Sequence, residues 1–317
     1  MLLYILKRVF YVVPVALGVS LLCFLLVHIA PGDPLVSVLP ADASQALVEE
    51  MRKAYGFDRP LPVQFAIWLG RALGGDLGTS IASGRPVAGE VMKAVANTFI
   101  LAMAATLLGF LLGGVLGFVA GYFRDSWIDR VATTLSIVGV SVPHYWLGMV
   151  LVILFAVTLN WLPASGAGPG GSSLWAWDWE HVRYLVLPAV TMSVIPMGIV
   201  TRTLRALVGD ILGQEFVDAL RAKGMRDGAI FLHVVKNAAP TALAVMGLQL
   251  GYLLGGSILI ETVFSWPGTG FLLNAAIFQR DLPLLQGTIL VLGIFFVALN
   301  LLVDVAQAAL DPRIRRG

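Results

Sequence analysis

Cysteine occurs once in the 317-residue chain, at Cys23, and histidine only four times, at His28, His144, His181 and His233. The lone cysteine lies in an apolar run, which excludes an intramolecular disulfide and a thiolate metal site and leaves the redox compartment open. The histidines fall on different segments without metal-ligand spacing. Charge is scarce too: Asp, Glu, Lys and Arg together make 13% of the chain, against about a quarter in soluble domains. Three catalytic signatures are missing: the GxxxxGK phosphate loop closed by Ser or Thr, the HExxH zinc helix and the GxSxG nucleophile elbow. A non-catalytic chain is therefore expected, with no metal and no cofactor of its own.

What the chain does have is hydrophobic length. It is 58% hydrophobic, with a mean hydropathy of +0.87, the composition of an integral membrane protein. A net charge of +2 raises the question of nucleic acid, but the basic residues are divided among short loops and no aromatic-interleaved basic patch occurs, so no nucleic-acid partner is expected. Six segments reach the roughly 20 apolar residues of a spanning helix: Val9–Ala30, Phe99–Gly121, Val131–Asn160, Tyr184–Val200, Thr241–Ile260 and Leu284–Val303. The first is longer than a secretory h-region and lacks a small-x-small cleavage site, so it reads as a retained helix. Pro143 predicts a kink in the third or a short surface piece before it. The fourth is short and carries Pro188 and Pro196.

Lys and Arg in short loops set orientation. With a cytoplasmic N-terminus, the inner set is Lys7, Arg8, Arg124, Arg130, Arg202, Arg205, Arg221, Lys223, Arg226, Lys236, Arg313, Arg315 and Arg316, and the outer set only Arg183 and Arg280. Both termini are expected in the cytoplasm. Three outer connections follow: Pro31–Ala96, a partly helical cap with an amphipathic stretch near Ala46–Tyr55; Trp161–Val182, whose Trp161, Trp175, Trp177 and Trp179 suit a membrane interface; and Phe264–Pro283, with WPGTG as a turn. The expected domains are 1–96 (first span plus cap), 97–308 (a transmembrane domain with a cytoplasmic loop at 204–240) and a 309–317 tail.

Ionisable groups at membrane depth are few. His144 lies in the third run and is expected to bond a carbonyl freed by the kink, while Glu261 and Asp304 end the fifth and sixth and read as interfacial. This weakens a proton-coupled secondary transporter, which stays open as the rival from another class. Gly109, Gly113, Gly117 and Gly121 recur every four residues and fall near one helix face, where a neighbouring backbone can approach.

The segment EFVDALRAKGMRDGAIFLHVVKNAAP, Glu215–Pro240, concentrates charge between two apolar runs. Phe216, Ala219, Leu220 and the stem of Lys223 share a helical face, Gly224 ends the turn, and Asp227 can cap a second helix with an Ile230, Phe231, Val234 and Val235 stripe. Helix, glycine turn, helix is a form suited to docking on a soluble partner. It is equally suited to lying on anionic lipid, and spacing alone does not choose.

DALRAKG, Asp218–Gly224, resembles the EAAxxxG loop of binding-protein-dependent ABC importer permeases, with Asp for Glu and Leu220 for the second Ala. EFVDALRAKG, PGDP at Pro31–Pro34, SVPHYWLG at Ser141–Gly148, and ETVFSWPGTG to QRDLPLLQG at Glu261–Gly287 resemble the dipeptide/oligopeptide branch. The resemblance implies an all-α, six-span permease subunit of a bacterial inner membrane. Its implied partners are a similar second permease, two cytoplasmic ATPases that hold ATP and Mg, and an extracytoplasmic solute-binding protein. It also implies coupling to an ATPase through Glu215, Asp218, Ala219, Arg221, Lys223 and Gly224. Peptides are the cargo it implies first, with nickel, glutathione, opines and oligosaccharides as alternatives. An adaptor that only recruits cytosolic proteins is a weaker third possibility.

Overall fold

Backbone groups in hydrocarbon have no water to bond, so long apolar runs resolve into helices that satisfy themselves. The computed structural model describes residues 2–29, 44–54, 58–171, 175–256 and 258–310. Among them the regular structure is helical, with one isolated bridge between Thr79 and Pro86. The helices are α1 (Leu2–Ile29), α2 (Gln45–Ala54), α3 (Leu61–Leu73), α4 (Val87–Tyr122), α5 (Trp127–Ser141), α6 (His144–Leu151, continued as a π-helix over Val152–Thr158), α7 (Trp179–Leu212), α8 (Glu215–Ala222), α9 (Asp227–Gly256), α10 (Ile258–Val263), α11 (Thr269–Phe278) and α12 (Leu282–Leu310). The PGDP stretch, Tyr55 and the basic tail at Arg313, Arg315 and Arg316 lie outside the described residues.

Helices α4, α7, α9 and α12 are long and apolar enough to cross a membrane, and α5 with its successor forms a further bent pair. Helix α1 runs for 28 residues through Pro14, with Val13–Leu25 as its apolar part. The third predicted run is broken where Pro143 sits: Val142 is extended, and the helices on either side meet at 100°. His144 does not turn to a carbonyl there; its ring stands edge-on to Tyr145. The fourth run extends well beyond Tyr184–Val200, since α7 continues through both prolines to Leu212. Thr191, Thr201 and Thr203 each donate to a carbonyl four residues back along the helix. The second hairpin helix and the fifth run are likewise not separate, because α9 passes through Pro240 without a break.

The chain divides into two compact units. Among the described residues, one holds those within 99–266 with 302–310, the other those within 2–98 with 267–301. In the first, α7 is the central helix, burying residues on both sides from Leu187 to Ile211. In the second, Val87, Val91 and Val95 of α4 pack with Ala276 of α11 and Leu284 of α12, while Phe24 of α1 stacks with Phe65 and Trp68 of α3. The predicted outer loop Phe264–Pro283 contains the apolar helix α11. That helix is pinned at its start by Thr98, which bonds both the hydroxyl and the backbone N–H of Thr269.

Glu261 is fully buried, at 0% exposure, and so is not the interfacial group its position at the end of a run suggested. It lies in α10 beside the buried Phe264 and Trp266, whose N–H donates to its carbonyl. The side chain of Asp304 lies outside the described residues.

Candidate functional site

Helix α7 ends at Gly213, and Gln214 turns the chain into α8. Glu215 and Asp218 occupy the first turn of α8 and Arg221 its last, the arrangement a helix dipole favours. The stop is a complete Schellman motif: Gly224 N–H donates to Arg221 O at 2.9 Å and Met225 N–H to Leu220 O at 3.2 Å. Gly224 has φ of 74°, the left-handed conformation that glycine adopts without strain. Asp227 is the first residue of α9 and favours its N-terminus through charge.

One residue anchors α8. Val217 is at 0% exposure in a cluster with Val200, Leu204, Val208 and Ile211 of α7 and Ile230, Val234 and Ala238 of α9. Phe216, Leu220 and Met225 pack at its margin. The buried face is therefore Val217 with Phe216 and Leu220, not the Phe216, Ala219, Leu220 and Lys223 face read from spacing. Ala219 points away, and Glu215, Asp218, Arg221, Lys223 and Gly224 are exposed with it. The six residues singled out by sequence thus share a free surface on a helix whose other side is fixed. An Asp218–Arg221 pair at 3.3 Å spans that surface; so exposed a pair adds little stability. Of the second stripe, Ile230 and Val234 are buried, whereas Phe231 is exposed and lines a cavity of about 360 Å³ with Gly114, Phe118 and Tyr122.

The support behind this hairpin is a seam of glycines. A Cβ on Gly109 would stand 3.0 Å from Ser193 O, on Gly113 2.7 Å from Met197 O, on Gly117 2.8 Å from Thr201 O and on Gly121 2.8 Å from Arg205 O. Four glycines of α4 thus meet four successive carbonyls, at four-residue steps, along α7. On another side of α7 a Cβ at Gly198 would stand 2.7 Å from Ser136 O of α5. Small residues allow this approach where lipid supplies no hydrophobic drive between helices.

Sequence reasoning missed a polar joint at the start of α5. Ser126 caps the helix by accepting from Asp129 N–H. Asp129, 2% exposed, receives Arg205 of α7 as a fork, Nε to Oδ1 at 2.5 Å and Nη2 to Oδ2 at 2.8 Å. Asp125 N–H at 3.0 Å and Thr133 Oγ1 at 3.2 Å complete the carboxylate's partners. Arg205 had read as a loop charge only because the apolar run seemed to stop at Val200. Among the described residues no group of three His, Cys, Asp or Glu is gathered as for a metal.

The chain matches two family descriptions: "Binding-protein-dependent transport system inner membrane component" over residues 113–316, and the N-terminal part of such membrane components over residues 1–100. It is 39% identical over 316 residues to the glutathione transport system permease protein GsiC of Pectobacterium atrosepticum, covering 99% of both chains. It is 34% identical over 332 residues to the dipeptide transport system permease protein DppB of Alkalihalophilus pseudofirmus, covering 99% of this chain and 100% of that one. A solved chain described under inward facing conformations of the MetNI methionine ABC transporter shares the fold, with a TM-score of 0.53 at 16% identity over 71% of this chain and 96% of that one. The helices, the apolar runs and these matches agree: the chain belongs to the binding-protein-dependent transport system inner membrane component family, in its peptide branch, as a multi-pass, non-catalytic ABC permease subunit.

Proposed function

We propose that this subunit forms part of the path by which an ATP-driven importer carries di- or oligopeptides across a bacterial inner membrane. In this reading α8 seats in a groove of a cytoplasmic ATPase. A second permease completes the path, two ATPases bind ATP and Mg, and an extracytoplasmic solute-binding protein delivers cargo. The observation that carries it is the division of α8 into an anchored side at Val217 and a free side bearing Glu215, Asp218, Ala219, Arg221, Lys223 and Gly224. A permease without a nucleotide motif needs such a surface to be driven. The charged residues offer bonds to a partner, and Ala219 and Gly224 offer close approach. Glutathione is a second reading of the cargo, since a relative named for it is as similar as those named for peptides.

The experiment uses the space around Gly224, where an added Cβ meets nothing within 4 Å. Gly224→Ala and Gly224→Trp bear the same positive-φ strain, and differ mainly in bulk that only a covering partner would meet. In the reconstituted complex, Gly224→Trp is expected to lower uptake per ATP about tenfold or more below Gly224→Ala, a coupling loss of usual size. Equal uptake in the two would sink the assignment.

A further inference from the structure

We propose that Asp129 and Arg205 are positioning residues for transport, joining α5 to α7 so that displacement of α8 reaches the bent segment at Pro143. The inference rests on α8 being the coupling element. Helix α7 runs directly into α8 through Gly213 and Gln214, so α7 shares any movement imposed there. What α7 can pass to α5 depends on how the two are held. The two helices also meet along a small-residue seam, where a Cβ added at Gly198 would stand 2.7 Å from Ser136 O and one at Gly139 2.9 Å from the Val194 side chain. Such contacts fix separation but resist sliding and rotation weakly, because van der Waals packing has little directionality.

The carboxylate of Asp129 is different in kind. It takes four donors, two from the Arg205 fork, one from Thr133 in its own helix and one from Asp125 N–H in the turn after α4. That number fills the acceptor capacity of a carboxylate, and a bidentate fork fixes orientation as well as distance. The end of α4, the start of α5 and the body of α7 are thereby registered at one group. Stability alone does not account for it, since the Arg205 side chain is 32% exposed against 3% for Asp129, and even a fully buried pair is often replaceable by apolar packing without loss. The α5 side of the joint continues to the break at Val142–Pro143, where the helix changes direction by 100°. A shift of α7 that carries α5 with it therefore alters the bend, whereas a shift that slides past α5 leaves the bend unmoved.

The test uses the full complex in proteoliposomes. Arg205→Lys keeps the charge but loses the fork, and Asp129→Asn keeps the shape but loses the charge. Both are expected to raise the ATP hydrolysed per solute moved about tenfold. Nitroxides at the exposed Thr134 and Ala206 should report one narrow α5–α7 distance with and without ATP in the otherwise wild-type complex, broadened in Arg205→Lys. An unchanged ratio in the variants, or a wild-type distance that changes between nucleotide states, overturns the proposal. The second measurement decides even if a variant fails to assemble. Should Gly224→Trp transport as well as Gly224→Ala, the α8 reading itself falls. Should Gly224→Trp fail while Arg205→Lys stays tightly coupled, only the joint is wrong.

Discussion

The hydroxyl of Ser80 donates to the carboxylate of Asp281 at 2.5 Å, with both residues buried. The same Oδ2 receives Ala82 N–H at 3.1 Å, and Oδ1 receives Leu284 N–H at 3.1 Å at the start of α12. One carboxylate thus caps a helix and holds the 76–86 turn beside it. Asp281→Ala removes the cap at Leu284 N–H and strands the buried Ser80 hydroxyl, an expected loss of about 2–4 kcal/mol. Hydrogen exchange of residues 76–86 in the lipid-embedded chain should rise sharply. Exchange that stays at the wild-type rate would mean the turn is held by other contacts.

Neighbouring glycines of α4 make a paired experiment. A Cβ at Gly113 would lie 2.7 Å from Met197 O, whereas at Gly114 it meets nothing within 4 Å. Gly113→Ala is expected to destabilise by about 1–3 kcal/mol through overpacking. Gly114→Ala should be neutral or gain up to about 1 kcal/mol of helix propensity. Thermal unfolding in the same detergent compares them directly. A Gly113→Ala protein as stable as wild type would show that α4 and α7 can separate at little cost.

Much of the hairpin was legible because its signals are local. Gly224 follows a run of helix formers, and a left-handed stop is what Lys-Gly at that place provides. The face of α8 was not legible: an eight-residue helix carries too few positions to tell the Val217 side from the Ala219 side until α7 and α9 are placed. Pro143 announced a break, but the 100° angle depends on what α5 and α6 pack against. Asp129 and Arg205 lie 76 positions apart, and no helical or strand period links such residues. Arg205 was misread because polarity rising after Val200 looks like the end of a span, when the helix instead continued by giving its arginine a buried partner. Glu261 was misread for the same reason in reverse, since a charge at the end of an apolar run looks solvated until the turn folds over it.

Acid should act at the N-terminal end of α7 in a predictable way. Asp178, just before the helix, accepts from His181 N–H at 2.8 Å and contacts the His181 ring at 2.7 Å. The backbone bond first, and the ring bond second, hold its carboxyl below the ordinary value. A depressed carboxyl stabilises the fold above its unfolded value near pH 4, and that contribution is lost as pH falls through the lower folded value. Acidification below about pH 4 should therefore loosen the first turn of α7 more in wild type than in Asp178→Asn, which caps without titrating. Thermal scans at stepped pH are the check, and parallel curves for the two proteins would remove Asp178 from the acid response.

Helix α9 carries one last consequence. Its 30 residues run unbroken from the turn after Gly224 to Gly256, a rod of about 45 Å at 1.5 Å per residue. A tilt of about 5° about one end of such a rod swings the other by about 4 Å. Because it stays helical through Pro240, α9 acts as a lever arm, in which a displacement too small to break any contact around Val217 becomes, at the far end, about the width of a methyl group.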